Sequence, residues 1–181
     1  MPAWVSLANL LTLVRLLLVP VVIGYILEGR YLLAGWLFGA AGFTDILDGA
    51  AARALGATQT GAYFDPIADK CLLSGVYLAL AWVHLLPWWL VAIVFGRDLY
   101  ILAAVGVFLL GTPVRRFPPS IWGKVSTFVQ ILTAVAWLAR AIFAGPVLAG
   151  ISSAMLWPCV AFTVWSGLDY TWKGIRAYRK Y

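Results

Sequence analysis

Four of the chain's seven acidic residues, Asp45, Asp48, Asp65 and Asp69, fall between positions 45 and 69, in a chain so apolar that ionised groups are costly to hold. Asp45 and Asp48 are three residues apart and Asp65 and Asp69 four apart, so on helices each pair shares a face. Four carboxylates brought together in a poorly hydrated place repel one another and take up protons unless cations neutralise them. Bound divalent metal meets that need. An all-oxygen ligand set favours Mg²⁺ or Mn²⁺, and two such ions about 3.5–4 Å apart are a recurrent device for in-line displacement at phosphorus. Asp65, directly before Pro66, also has a plainer reading: a helix N-cap followed by proline at the first helical position, which needs no metal. That accounts for Asp65 and leaves the other three unexplained.

Between the two pairs lie Gly49, Ala52, Arg53 and Gly61. Small side chains let a nucleotide approach the backbone closely, and Arg53 has the planar fork that pairs with a pyrophosphate oxygen. The plain alternative for Arg53 is a basic anchor at the membrane surface. Other charged residues inside or at the edge of apolar runs include Arg15, Arg97, Asp98 and Lys124. A charge in such a place is a functional-site candidate whose partner must be found, and these four are the candidates for binding the second substrate. Arg97 beside Asp98 could equally be a structural pair, and Arg15 a packing contact.

The elements that must position these groups are helices in a membrane. At 181 residues, 64% hydrophobic and 11% charged, the chain has more apolar surface than one water-soluble core of this size could hide. Apolar runs at 7–27, 31–52, 66–86, 88–110, 121–143 and 146–168 each have about the 20 residues that cross a hydrocarbon core. The sequence therefore predicts an all-α integral membrane protein of six transmembrane helices, organised as one domain over 1–181. Asp45 and Asp48 would close the second helix and Asp65 and Asp69 open the third, so the two carboxylate faces could meet across a helix pair. The first apolar run is too long for a signal peptide and carries Arg15 in its middle.

With six spans both termini lie on one side, together with Arg53, Lys70, Arg115, Arg116, Lys124, Lys173, Arg176, Arg179 and Lys180; Arg30 and Arg140 are left on the other. The excess of basic residues places the termini and the aspartates in the cytoplasm. Trp4, Trp88, Trp89, Trp122 and Trp172 near span ends suit an interfacial belt. The net charge of +6 reads as contact with anionic membrane lipids, and no aromatic-and-basic pattern points to nucleic acid. Cys71, Cys159 and His84 read as packing or interface residues, without metal-ligand spacing. A cation carrier would place its carboxylates near the bilayer midplane, whereas these lie near one end of their spans.

Residues 45–69 read D-x2-D-G-x2-A-R-x7-G-x3-D-x3-D, which resembles the signature of the CDP-alcohol phosphatidyltransferase family at all eight specified positions. The resemblance extends through "NLLTLVR" (9–15), "GRDLYILAAV" (96–105) and "GKVSTFVQIL" (123–132). It implies a homodimer of six-helix chains that transfers a phosphatidyl group from CDP-diacylglycerol to an alcohol and releases CMP. It further implies that Asp45, Asp48, Asp65 and Asp69 hold two divalent ions, that Asp69 also takes the proton of the attacking hydroxyl, and that Asp48, Gly49, Ala52, Arg53 and Gly61 bind the cytidine diphosphate portion.

The acceptor is read from the fourth span. Relatives that make phosphatidylglycerophosphate resemble A-R-E there, with a second arginine eight residues after the first, both clamping the phosphate of glycerol-3-phosphate. Here the eighth residue after Arg97 is Val105. "GRD" followed by an apolar run, with "KVSTFVQ" downstream, looks more like the cardiolipin synthases of the same family, whose acceptor is phosphatidylglycerol. Glycerol-3-phosphate, inositol phosphate and serine are the alternatives. The short N-terminus lacks an Arg- and Ser-rich presequence, which favours a prokaryotic cytoplasmic membrane.

Overall fold

The computed structural model describes the backbone of residues 7–55, 61–111 and 120–178, and side chains at 13–44, 69–104, 106 and 120–176. Among the described residues there are six helices: α1 (Leu7–Leu27), α2 (Tyr31–Leu55), α3 (Gly61–Trp82), α4 (Trp88–Gly111), α5 (Ile121–Ile142) and α6 (Pro146–Tyr178). Among the described residues two stretches, Ile121–Ile142 and Pro146–Arg176, are long and apolar enough to cross a membrane. The chain divides into two compact units, Met1–Leu86 and Pro87–Tyr181.

In the first unit α1 packs against both α2 and α3. Its core is apolar: Val22 and Ile26 of α1, Ala34, Phe38 and Ala41 of α2, and Val76, Tyr77 and Leu80 of α3 are buried. The spacing of those α3 residues is that of a helix with one buried stripe. Gly75 is where α1 comes nearest, since a Cβ there would sit 2.8 Å from Ile23 Cδ1 and 3.3 Å from Val19 Cγ1. The ends of α1 and α3 close in the same way. Gly29, with φ +75°, follows the end of α1 while Arg30 N–H reaches back to Tyr25 O (2.8 Å) and Gly29 N–H to Ile26 O (3.1 Å). At the end of α3, His84 takes the equivalent position with φ +58°, and Leu85 N–H and His84 N–H donate to Leu80 O and Ala81 O. This paired pattern satisfies the last carbonyls of a helix and asks for a left-handed residue, usually glycine. His84, exposed in the turn, therefore has a backbone role.

In the second unit α6 packs along both α5 and α4. The α5/α6 contact carries a row of buried polar side chains, including Ser126, Gln130 and Thr133 on α5 and Ser152 and Thr163 on α6. Gln130 Nε2 donates to Thr163 Oγ1 (3.1 Å) and to Ser126 Oγ (3.3 Å), and Thr133 Oγ1 to the carbonyls of Val129 and Met155. Hydrogen bonds between spans replace the hydrophobic drive that is missing between helices in lipid. Near the α5/α6 turn, Arg140 lies over the Trp137 ring and donates to Ser152.

Three expectations need correction. The third helix begins at Gly61, so Asp65 and Pro66 lie inside it and the N-cap reading of Asp65 falls. Pro66, the sixth residue of α3, lies past the first turn, so its missing N–H costs the helix one backbone bond, to the carbonyl of residue 62. The sixth helix continues ten residues past the apolar run that marked it, to Tyr178. Cys159 is buried as expected, but Cys71 is exposed and fills no core.

Candidate active site

Asp45, Asp48, Gly49, Ala52 and Arg53 all fall on α2, and Gly61, Asp65 and Asp69 on α3, so helical backbone carries both carboxylate pairs at the spacings the sequence suggested. Of these residues, the described side chains include Asp69 alone; the meeting of the two carboxylate faces lies outside the described residues. Among the described residues no group of three or more His, Cys, Asp or Glu side chains is placed to hold a metal.

Asp69 has a partner that sequence reasoning did not supply. Arg15 Nη1 of α1 donates to Asp69 Oδ1 at 2.8 Å, with the Arg15 side chain 3% exposed and Asp69 39%. A guanidinium this deeply buried needs a partner, and here it anchors a carboxylate of the signature. Arg15 was a candidate for the second substrate; the structure places it on Asp69. The chemical fit to a divalent ion stands on the donor types, all carboxylate oxygen, with a cation already fixing one of the four.

The other candidates lie in the second unit. Arg97 of α4 is 9% exposed; its Nη1 donates to Asp98 Oδ1 at 2.6 Å and its Nη2 to Ser166 of α6. The structural pairing of Arg97 with Asp98 is therefore real, and it also aims the guanidinium across to α6. Gly123 of α5 leaves room for this, since a Cβ there would lie 3.4 Å from Arg97 Nη2 and 3.5 Å from the Tyr170 ring. Among the described residues Arg97 Nε has no hydrogen-bond partner. Lys124, in the first turn of α5, is exposed.

Beside Arg97 the sequence reading passed over a cluster. Ser120, buried just before α5, donates its hydroxyl to Asp169 of α6, and its N–H to Tyr170 Oη at 3.3 Å. Lys173 Nζ reaches Asp169 Oδ2 at 2.8 Å and Ser120 Oγ at 3.1 Å. The i, i+4 spacing of Asp169 and Lys173 was the available signal. These contacts tie the start of α5 to the last turns of α6, at the level where Gly123 passes Arg97.

Arg97 also borders a groove of about 500 Å³ between α4 and α6. At one end Tyr100 Oη and Thr171 Oγ1 are 2.7 Å apart; toward the other the lining is Ile93, Thr163 and Val164.

Comparison with known proteins agrees with the signature. The sequence profile of the CDP-alcohol phosphatidyltransferases matches residues 5–165, through both units. The chain is 34% identical over 182 aligned positions to a Mycobacterium tuberculosis protein named "Probable phosphatidylglycerophosphate synthase", covering 94% of this chain and 82% of the relative. It is 35% identical to the rat "Cardiolipin synthase (CMP-forming)", covering 87% of this chain and 57% of the rat protein. To the Bacillus subtilis "CDP-diacylglycerol--glycerol-3-phosphate 3-phosphatidyltransferase" it is 30% identical, covering 94% and 97%. With the eight-position signature intact on α2 and α3 and a family match over most of its length, this chain belongs to the CDP-alcohol phosphatidyltransferase family.

Proposed function

We propose that the protein transfers the phosphatidyl group of CDP-diacylglycerol to the free hydroxyl of phosphatidylglycerol, giving cardiolipin and CMP. The acceptor oxygen attacks the phosphorus that carries diacylglycerol, its proton passes to Asp69, and the bond from that phosphorus to the oxygen of CMP breaks with its electron pair leaving on CMP. Arg15 holds the Asp69 carboxylate by one oxygen while it receives the proton. Asp45, Asp48, Asp65 and Asp69 would hold two ions of Mg²⁺ or Mn²⁺, which when bound supply positive charge to the phosphorus centre and leaving group. Asp48, Gly49, Ala52, Arg53 and Gly61 receive the cytidine diphosphate, with Arg53 on the pyrophosphate. In this reading all six helices span the membrane, the aspartates face the cytoplasm with both termini, the two units act as one domain, and two copies associate. The membrane is the cytoplasmic membrane of a prokaryote.

The observation that carries the choice of acceptor is the state of Arg97. It already shares its charge with Asp98 at 2.6 Å, and the α4 position eight residues on holds Val105. A dianionic phosphate in a half-dry site requires more than one free cation, and valine gives none; a phosphodiester carries a single charge. Glycerol-3-phosphate is the second reading, favoured by the names of the M. tuberculosis and B. subtilis relatives. The test gives purified protein CDP-diacylglycerol, Mg²⁺ and each acceptor separately, with products identified by mass spectrometry. Cardiolipin and CMP are expected from phosphatidylglycerol. Phosphatidylglycerophosphate from glycerol-3-phosphate, without cardiolipin from phosphatidylglycerol, overturns the reading.

A further inference from the structure

We infer that the last turns of α6 form a docking surface for the head groups of anionic phospholipids, carried by Leu168, Trp172, Ile175 and Arg176. The inference rests on α5 and α6 crossing a membrane and adds which lipid gathers at the end of α6. Two observations set the depth. With 22 residues α5 is about 33 Å long, close to the hydrocarbon core of a bilayer. Ser120, the residue before it, is tied to Asp169, Tyr170 and Lys173 of α6. From Asp169 onward α6 therefore lies among the head groups, and Asp169 to Arg176 is about 10 Å of helix.

At that level the two faces of α6 differ. Asp169 and Lys173 meet each other and Ser120, so one face is polar and turned to the start of α5. The other face stays apolar: Leu168, Trp172 and Ile175, spaced four and three residues apart, are about half exposed or more. A helix end that passed straight into water would turn polar all round, whereas one lying among lipids keeps an apolar face. Beside this face the Arg176 guanidinium stacks over the Trp172 ring, 5.1 Å from its centre. The ion pairs among the described residues do not include Arg176. Along the sequence, Arg176, Arg179 and Lys180 follow the Asp169–Lys173 pair with no acidic residue after Asp169. Indole favours head-group depth, and basic residues next to a span attract anionic lipid. A zwitterionic lipid offers the same phosphate, but its own ammonium competes with the arginine, so the surface selects lipids of net negative charge.

The test reads lipid selectivity in the full-length protein reconstituted in phosphatidylcholine, with spin-labelled phosphatidylserine compared against spin-labelled phosphatidylcholine. Phosphatidylserine is anionic and is neither substrate nor product of the proposed reaction. The motionally restricted lipid around the wild type should favour phosphatidylserine. The triple variant Arg176→Gln, Arg179→Gln, Lys180→Gln should lower that preference by about half or more, and about 0.5 M salt should act in the same direction. Trp172→Gln, which leaves the charge unchanged, should also lower it. Arg30→Gln, at the opposite side in the proposed topology, should leave it as it was. A preference unchanged in the triple variant or in Trp172→Gln overturns the surface and leaves the membrane reading standing. No motionally restricted lipid at all overturns the membrane reading and this inference with it. A changed oligomeric state in Trp172→Gln, with lipid preference unchanged, assigns the face to a contact between copies and also overturns the inference.

Discussion

Between α1 and α3 the chain buries Val22, Ile26, Val76 and Leu80, brings the helices close at Gly75, and places an ion pair, Arg15 to Asp69, on a residue of the signature. Between α5 and α6 it buries Ser126, Gln130, Thr133 and Thr163, and closes the end of the seam with Ser120, Asp169 and Lys173. Among the described side chains of the first seam, the Arg15–Asp69 pair falls on a residue of the signature itself. In the second, hydrogen bonds and the Asp169–Lys173 ion pair are spread along the seam, none of them at a signature position. A concentrated contact fixes one group with little freedom, as a proton acceptor requires. A distributed one loses little when any single member changes, so its surroundings can be altered to suit another acceptor while the helix pair persists.

The contrast can be broken at several points. The largest effect is expected at the carboxylates: Asp45→Asn or Asp65→Asn should lower CMP release by about a hundredfold or more, and excess chelator should abolish it. Full activity in chelator would remove the metal from the account. Asp69→Asn should still bind CDP-diacylglycerol while losing turnover, because the amide keeps an oxygen but accepts no proton. Loss of donor binding in parallel would make Asp69 chiefly a ligand.

Arg15→Met should come next. Breaking a fully buried pair costs about 3–5 kcal/mol, and with Asp69 partly exposed about 1–3 kcal/mol is expected, read as lost thermal stability in detergent together with lower turnover. Gly75→Leu should cost a similar or smaller amount, about 1–3 kcal/mol, by pushing α1 away at Ile23 while touching no charged group. The smallest effect belongs to Gln130→Leu, at about 0.6 kcal/mol, the average worth of a hydrogen bond between membrane helices. Should Gln130→Leu prove as damaging as Arg15→Met, the distinction between a concentrated and a distributed interface is wrong.

Most helix positions were legible because hydropathy and helix length are both local properties. α1, α4 and α5 begin and end within a residue or so of their apolar runs. The failures came where the two properties part. Asp65 and Pro66 looked like a helix start, yet the backbone is already helical from Gly61. The apolar run of α6 stops before Asp169, but the helix continues because Asp169, Tyr170 and Lys173 are held by Ser120. In the site, residue types and spacings were readable and partners were not. Arg15 and Asp69 lie 54 positions apart, and nothing local to either points to the other. Arg97 and Asp98 were readable as a pair because they are adjacent, whereas the reach to Ser166 depends on how α4 lies along α6.

The length of α6 carries one more consequence. Its 33 residues make a rod of about 50 Å, longer than the 40–45 Å of a whole bilayer with its head groups. At the average tilt of about 20° the helix still extends about 47 Å along the membrane normal, and the remainder stands in water. Amide hydrogens along this one helix should therefore divide sharply into a slow-exchanging set and a fast-exchanging one. The boundary should move along α6 as the acyl chains of the surrounding lipid are lengthened or shortened, making the helix a built-in gauge of membrane thickness.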